Sequence, residues 1–157
     1  MRAGHILVRS CLRSRYARGE LIYPMFFCYR HGLEAAMKWI ISQYGASAGV
    51  PSYEPNHNLS QLWKACRIVL SSAASDGERD TNALVGRIIE EYHQLDPRNV
   101  SFRYSTDKSG RLIKLREGST DLRNLLNVMT GVHHFFNGAD VWLSELARFD
   151  DEFDYDQ

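Results

Sequence analysis

Between Ile22 and Tyr44 the positions Ile22, Phe26, Tyr29, Leu33, Ala36, Ile40 and Tyr44 recur every three or four residues, the period of an α-helix, and Gly45 supplies a stop. The pattern predicts a helix over about 21–44. Phe27, Met37 and Trp39 leave little of its surface to water, and a helix apolar on most sides has to pack among other elements. Helix-on-helix packing is therefore the first expectation for the fold.

The remaining apolar positions extend that expectation. "ASAGVPSYEPNH" reads as a loop, after which Leu59, Leu62, Trp63, Cys66, Val69 and Leu70 restore the period, with Asn58 as the cap. After "SDGERD", a third helix carries Leu84, Val85, Ile88, Tyr92 and Leu95, with Asp80 or Thr81 as its cap and Pro97 beyond its end. "VSFRYSTDKSGRLIKL" alternates β-formers around a turn-rich centre and predicts a hairpin over about residues 100–116. Leu122, Leu125, Leu126, Met129, Val132, Phe136, Leu143 and Leu146 mark a long last helix, capped by Ser119, Thr120 or Asp121 and bent or broken near "NGAD". The predicted fold is mainly α, a four-helix bundle with a short β-hairpin insert before the last long helix. Gly131 and Gly138, one heptad apart, leave a stripe suited to close approach by another helix, in the chain or in a partner.

A chain of 157 residues fits one domain, and no apolar run approaches the length that spans a bilayer. Its formal net charge is zero, so any nucleic-acid binding has to come from a local patch. The charge is divided between the ends. Arg2, Arg9, Arg13, Arg15 and Arg18 face Glu20 alone in residues 1–20, whereas "DDEFDYDQ" holds five acids and no base. Residues 1–20 read as a solvated basic arm, 21–149 as the helical domain and 150–157 as an acidic tail. The arginine-rich start also has the composition of an organellar transit peptide, but an arm is the simpler reading. Cys11, Cys28 and Cys66 are odd in number and lack paired spacing, which speaks for a reducing cytoplasm over a disulfide framework.

Arg30, Glu34 and Lys38 are spaced by four and stack along one helix face as a positive, negative, positive ladder. Exposed, each pair is worth roughly 0.2–0.5 kcal/mol. Partly buried, Glu34 would be held ionised by its two cations, and the adjacent His31 could donate a hydrogen bond or carry a proton. Both readings stay open at this level. His57 sits beside Asn58 at a helix entry, and Arg103 lies between two aromatics, placed to reach a carboxylate across the hairpin or to project into a groove. Arg87 and His93 share the third helix, but six positions of advance leave their side chains about 120° apart. Glu90 and His93 have the Glu-x-x-His spacing of carboxylate-bridged metal sites, yet only one copy is present. No metal and no cofactor are expected, and no phosphate loop or nucleophile elbow occurs.

In order, "YRHGLEAAMK", "HNLSQLW" and "FRYSTDKSG" resemble the HEPN (higher eukaryotes and prokaryotes nucleotide-binding) superfamily, particularly uncharacterised bacterial HEPN-like proteins, over about residues 23–146. The resemblance implies an α-helical bundle, frequently dimeric, of the kind found among RNA-cleaving toxins of toxin–antitoxin or defence systems and among non-catalytic accessory proteins. It also implies that Arg30, His31, Glu34 and Lys38 form an inward or groove-facing cluster. Ribonucleases of the superfamily carry Arg, four to six residues, then His, with a polar residue after the Arg, and two copies meet across a dimer. Arg87 and His93 meet the spacing, but Ile88 follows the arginine; Arg123 has the polar neighbour Asn124, yet nine residues separate that arginine from His133.

The leading expectation is a homodimeric, cytoplasmic, HEPN-like binding or regulatory module. It would engage RNA, a nucleotide or a partner protein through Arg30, His31, Glu34 and Lys38 with His57 or Arg103. The alternative is a metal-independent endoribonuclease with Arg87 and His93 in a composite site, histidine moving the proton and arginine stabilising phosphorane charge.

Overall fold

A computed structural model of the chain describes residues 1–50, 56–73, 79–97, 102 and 120–154. Among these are five helices, α1 (Arg2–Arg13), α2 (Arg15–Tyr44), α3 (Leu59–Ala73), α4 (Arg79–Leu95) and α5 (Leu122–Asp154), and no strand. The hairpin expected over residues 100–116, Arg103 included, lies outside the described residues save Phe102. No described helix is long and apolar enough to cross a membrane.

The central element is α2, and its sequence explains why. Met25, Phe26, Tyr29, Leu33, Met37, Ile40 and Ile41 are buried on several sides of one helix, which α1, α3 and α5 cover. Ser14 is extended and accepts a hydrogen bond from the Ala17 backbone, so α2 begins six residues earlier than the apolar period alone indicates. Arg18 donates to the Thr120 carbonyl just before α5, while Trp39 and Tyr44 reach Asp140, so α5 runs beside α2 in the same direction.

Three expectations are corrected. The stretch read as a solvated basic arm forms α1 and the start of α2; α1 buries Gly4, Val8 and Cys11 while its arginines face outward. A Cβ on Gly4 would lie 2.6 Å from the Tyr29 ring, so this glycine permits the close approach of α1 to α2. The last helix is unbroken through "NGAD", because Trp39 Nε1 and Tyr44 Oη each donate to Asp140 Oδ1 at 2.8 Å and pin that turn to α2. Helical backbone then continues into the acidic segment as far as Asp154. Finally, a Cβ on Gly131 or Gly138 would meet no atom of the described residues within 4 Å, which leaves the stripe uncovered by a close helix of the same chain.

The caps are mostly those of the sequence. Asn58 Oδ1 accepts from Gln61 N at 3.0 Å, and Asp121 Oδ1 accepts from Arg123 N and Asn124 N. Helix α4 is already helical at Arg79, one residue ahead of Asp80 and two ahead of Thr81.

Packing of α1 also carries a pH dependence. Burial pushes the pKa of His5 on α1 and of His133 on α5 below the usual 6.5, with added repulsion between these rings and from the chain's amino group. The unfolded chain then takes up these protons first as pH falls, so their stabilising contribution is complete above about 6.5 and lost as pH drops toward the lowered values. Urea midpoints should therefore fall between pH 7 and 5.5, before the carboxylates titrate; a flat or rising midpoint would exclude this role.

Candidate functional site

The polar ladder of α2 is buried, and long-range partners make that tolerable. Arg30 is 1% exposed and Glu34 5%, which is stable for charged groups only when they are paired and hydrogen-bonded. Arg30 Nη1 donates to Glu34 Oε2 at 3.3 Å, Nη2 to the His57 carbonyl at 2.8 Å, and Nε lies 3.9 Å from Asp96 Oδ2. Lys38 Nζ and His57 Nδ1 each stand 2.7 Å from Glu34 Oε1. Three donors from two segments thus converge on one carboxylate. Burial by itself would raise the Glu34 carboxyl, but the hydrogen bonds and charges of Lys38 and His57 outweigh it and hold the group below its usual range.

This arrangement fixes the chemistry of His57. An ionised carboxylate only accepts hydrogen bonds, so Nδ1 carries the proton that faces Glu34. Nε2 of the neutral ring is then an acceptor, and of the charged ring a donor. The Arg30 bond to the same residue's carbonyl holds the backbone while Glu34 holds the ring, and the His57 side chain is 65% exposed. Lys38, 25% exposed, shares the same carboxylate oxygen. An oriented imidazole and an ammonium thus reach the surface side by side, a pair that suits a phosphate or hydroxyl.

His31 does not join them. A step of one residue turns a helix by about 100°, and the His31 ring stacks on Phe27 at 6.0 Å beside a cavity of about 380 Å³ lined also by Met1, Cys28, His133 and Asn137. Arg103 lies outside the described residues. Arg87 is exposed and lines an open groove between α3 and α4, whereas His93 is half-buried, absent from that lining, and has its Nδ1 buried with no hydrogen-bond partner among the described residues. One chain does not bring these two together. Among the described residues no three His, Cys, Asp or Glu side chains are grouped to hold a metal.

Asp96 is the member that the sequence reading missed. It is 1% exposed and also accepts from Phe102 N at 3.5 Å, while Phe102 stacks on Phe26 with ring centroids 5.4 Å apart. A signal was present: Asp96 directly follows α4, where a helix C-terminus disfavours an acid and calls for a nearby cation. No family model, curated protein or solved structure matches this chain.

Proposed function

We propose that the chain is a HEPN-like helical module of the cytoplasm, homodimeric, with a bundle of that type and a hairpin over about residues 100–116. On this reading it binds RNA, gripping the phosphate backbone with His57 and Lys38. The observation that carries it is the double use of Glu34 Oε1, 2.7 Å from both Lys38 Nζ and His57 Nδ1, which holds two phosphate donors at the surface in one geometry. Arg30, Glu34 and Asp96 act as the buried frame, and a nucleotide would present the same phosphate chemistry to it.

Anisotropy of a short labelled single-stranded RNA tests this. His57→Ala should weaken binding about tenfold, the size of one charge-assisted hydrogen bond, with affinity falling as salt rises. Equal affinity of wild type and variant would end the reading. Product length in the same mixtures addresses cleavage: shortening that disappears in both Arg87→Ala and His93→Ala would favour the ribonuclease.

A further inference from the structure

The outward side of α1 is a row of exposed cations with aliphatic side chains set among them. Arg2, Ile6, Arg9 and Arg13 fall within about 60° of one another around the helix and extend roughly 16 Å along it, and all four are exposed. At the turn into α2, Arg15 and Tyr16 are exposed as well. Among the described residues no ion pair holds Arg2, Arg9, Arg13 or Arg15; Arg13 donates to Ser10 Oγ at 3.5 Å.

The acids of the chain lie elsewhere. Glu20 is the one acid in residues 1–33. Helix α1 packs on α2 and on the first half of α5, where the His5 and His133 ring centroids are 5.8 Å apart. Asp121 is engaged as the α5 cap, and the acids from Asp150 onward follow the other end of that helix. The sequence between Phe102 and Thr120, which enters α5 beside Arg18, holds five bases and two acids. Glu54, Asp76 and Glu78 belong to the connections on either side of α3, which packs on α2, α4 and α5. The elements that α1 touches, α2 and the first half of α5, and the stretch that enters α5 thus all bring more base than acid.

Arginine suits phosphate, because its planar fork donates two hydrogen bonds to one group. The residues between the arginines decide which phosphates. Ile6 is 62% exposed, Leu12 41% and Tyr16 77%. An RNA backbone gains nothing from aliphatic side chains, whereas a bilayer takes them between its headgroups and holds tyrosine at the same level. Anionic lipids supply the phosphates, and the cytoplasmic leaflet of a membrane carries them.

We propose that the outward side of α1 rests on an anionic phospholipid surface, with Arg2, Arg9 and Arg13 on lipid phosphates and Ile6, Leu12 and Tyr16 among the headgroups. The contact is peripheral, since no described helix is long and apolar enough to cross a membrane. It goes beyond the RNA reading and uses another side of the molecule. Glu34, which orients His57 and Lys38, is five positions after Tyr29, the residue that meets Gly4 of α1, and so about 140° around α2 from that contact.

Sedimentation of the full chain with vesicles of phosphatidylcholine, with and without phosphatidylserine, tests the proposal. Wild type should pellet with the phosphatidylserine vesicles at low salt, stay in solution with phosphatidylcholine alone, and be released as salt rises. Arg2→Glu/Arg9→Glu/Arg13→Glu should weaken binding at least about a hundredfold, and Ile6→Ser about tenfold. All four positions are exposed, so helical circular dichroism stays native. His57→Ala should bind vesicles as wild type does. A wild type that does not pellet, equal pelleting with the two lipids, or an arginine variant that binds like wild type would overturn the proposal. Ile6→Ser at wild-type affinity would overturn the bilayer contact, and RNA binding lost in the arginine variant with no vesicle binding in wild type would give the surface to RNA instead.

Discussion

Glu34→Ala is expected to lower the unfolding free energy by about 3 kcal/mol or more. The substitution leaves Arg30, 1% exposed, without the carboxylate at 3.3 Å, and takes from Lys38 and His57 their shared acceptor. Breaking a solvated i,i+4 pair would change stability by no more than about 0.5 kcal/mol, so urea unfolding separates a buried frame from an exposed ladder. A loss under 1 kcal/mol would return the cluster to the ladder, an order-of-magnitude boundary set by the surface-pair range. The frame argument also predicts a coupling: Glu34→Ala should weaken RNA binding, because the His57 ring loses the partner that orients it.

The second large effect is expected at Val8→Asp. Val8 is fully buried in the packing of α1, and an unpaired carboxylate there costs several kcal/mol. The chain has a way to limit the loss, since α1 can undock and expose the new acid. The cost therefore saturates at the docking free energy of α1, for which we expect about 3 kcal/mol from the large-to-small core range. Urea unfolding gives the loss, and hydrogen exchange on Arg2–Arg13 identifies undocking by its selective loss of protection. Wild-type stability in this variant would show that residues 1–20 are the solvated arm that their composition suggests.

That stretch shows where composition and periodicity compete. Five arginines in residues 1–20 speak for solvation, yet Gly4, Val8 and Cys11 recur at spacings of four and three on a single face. The arginines describe only the outward side of the helix, and the inward side is three small residues that a charge count overlooks. The acidic segment misled in a similar way, since charge alone does not end a helix that has no proline or glycine after Gly138.

Read on its own, the sequence determined α2 to α5, though not α1, because the 3.6-residue period, the Asn58 and Asp121 caps and the stop at Gly45 are local features whose cost or gain is felt within a few residues. It also brought Arg30, Glu34 and Lys38 onto one face, since residues four apart on a helix are neighbours whatever surrounds them. Tertiary structure alone decided whether that face was solvated. Burial depends on what packs over α2, and the groups that make it affordable, His57 and Asp96, lie 23 residues from Glu34 and 66 from Arg30. No local rule links positions so far apart. The same holds for His31, adjacent to Arg30 in the chain but turned by one helical step to another side, where Phe27 and the solvent receive it.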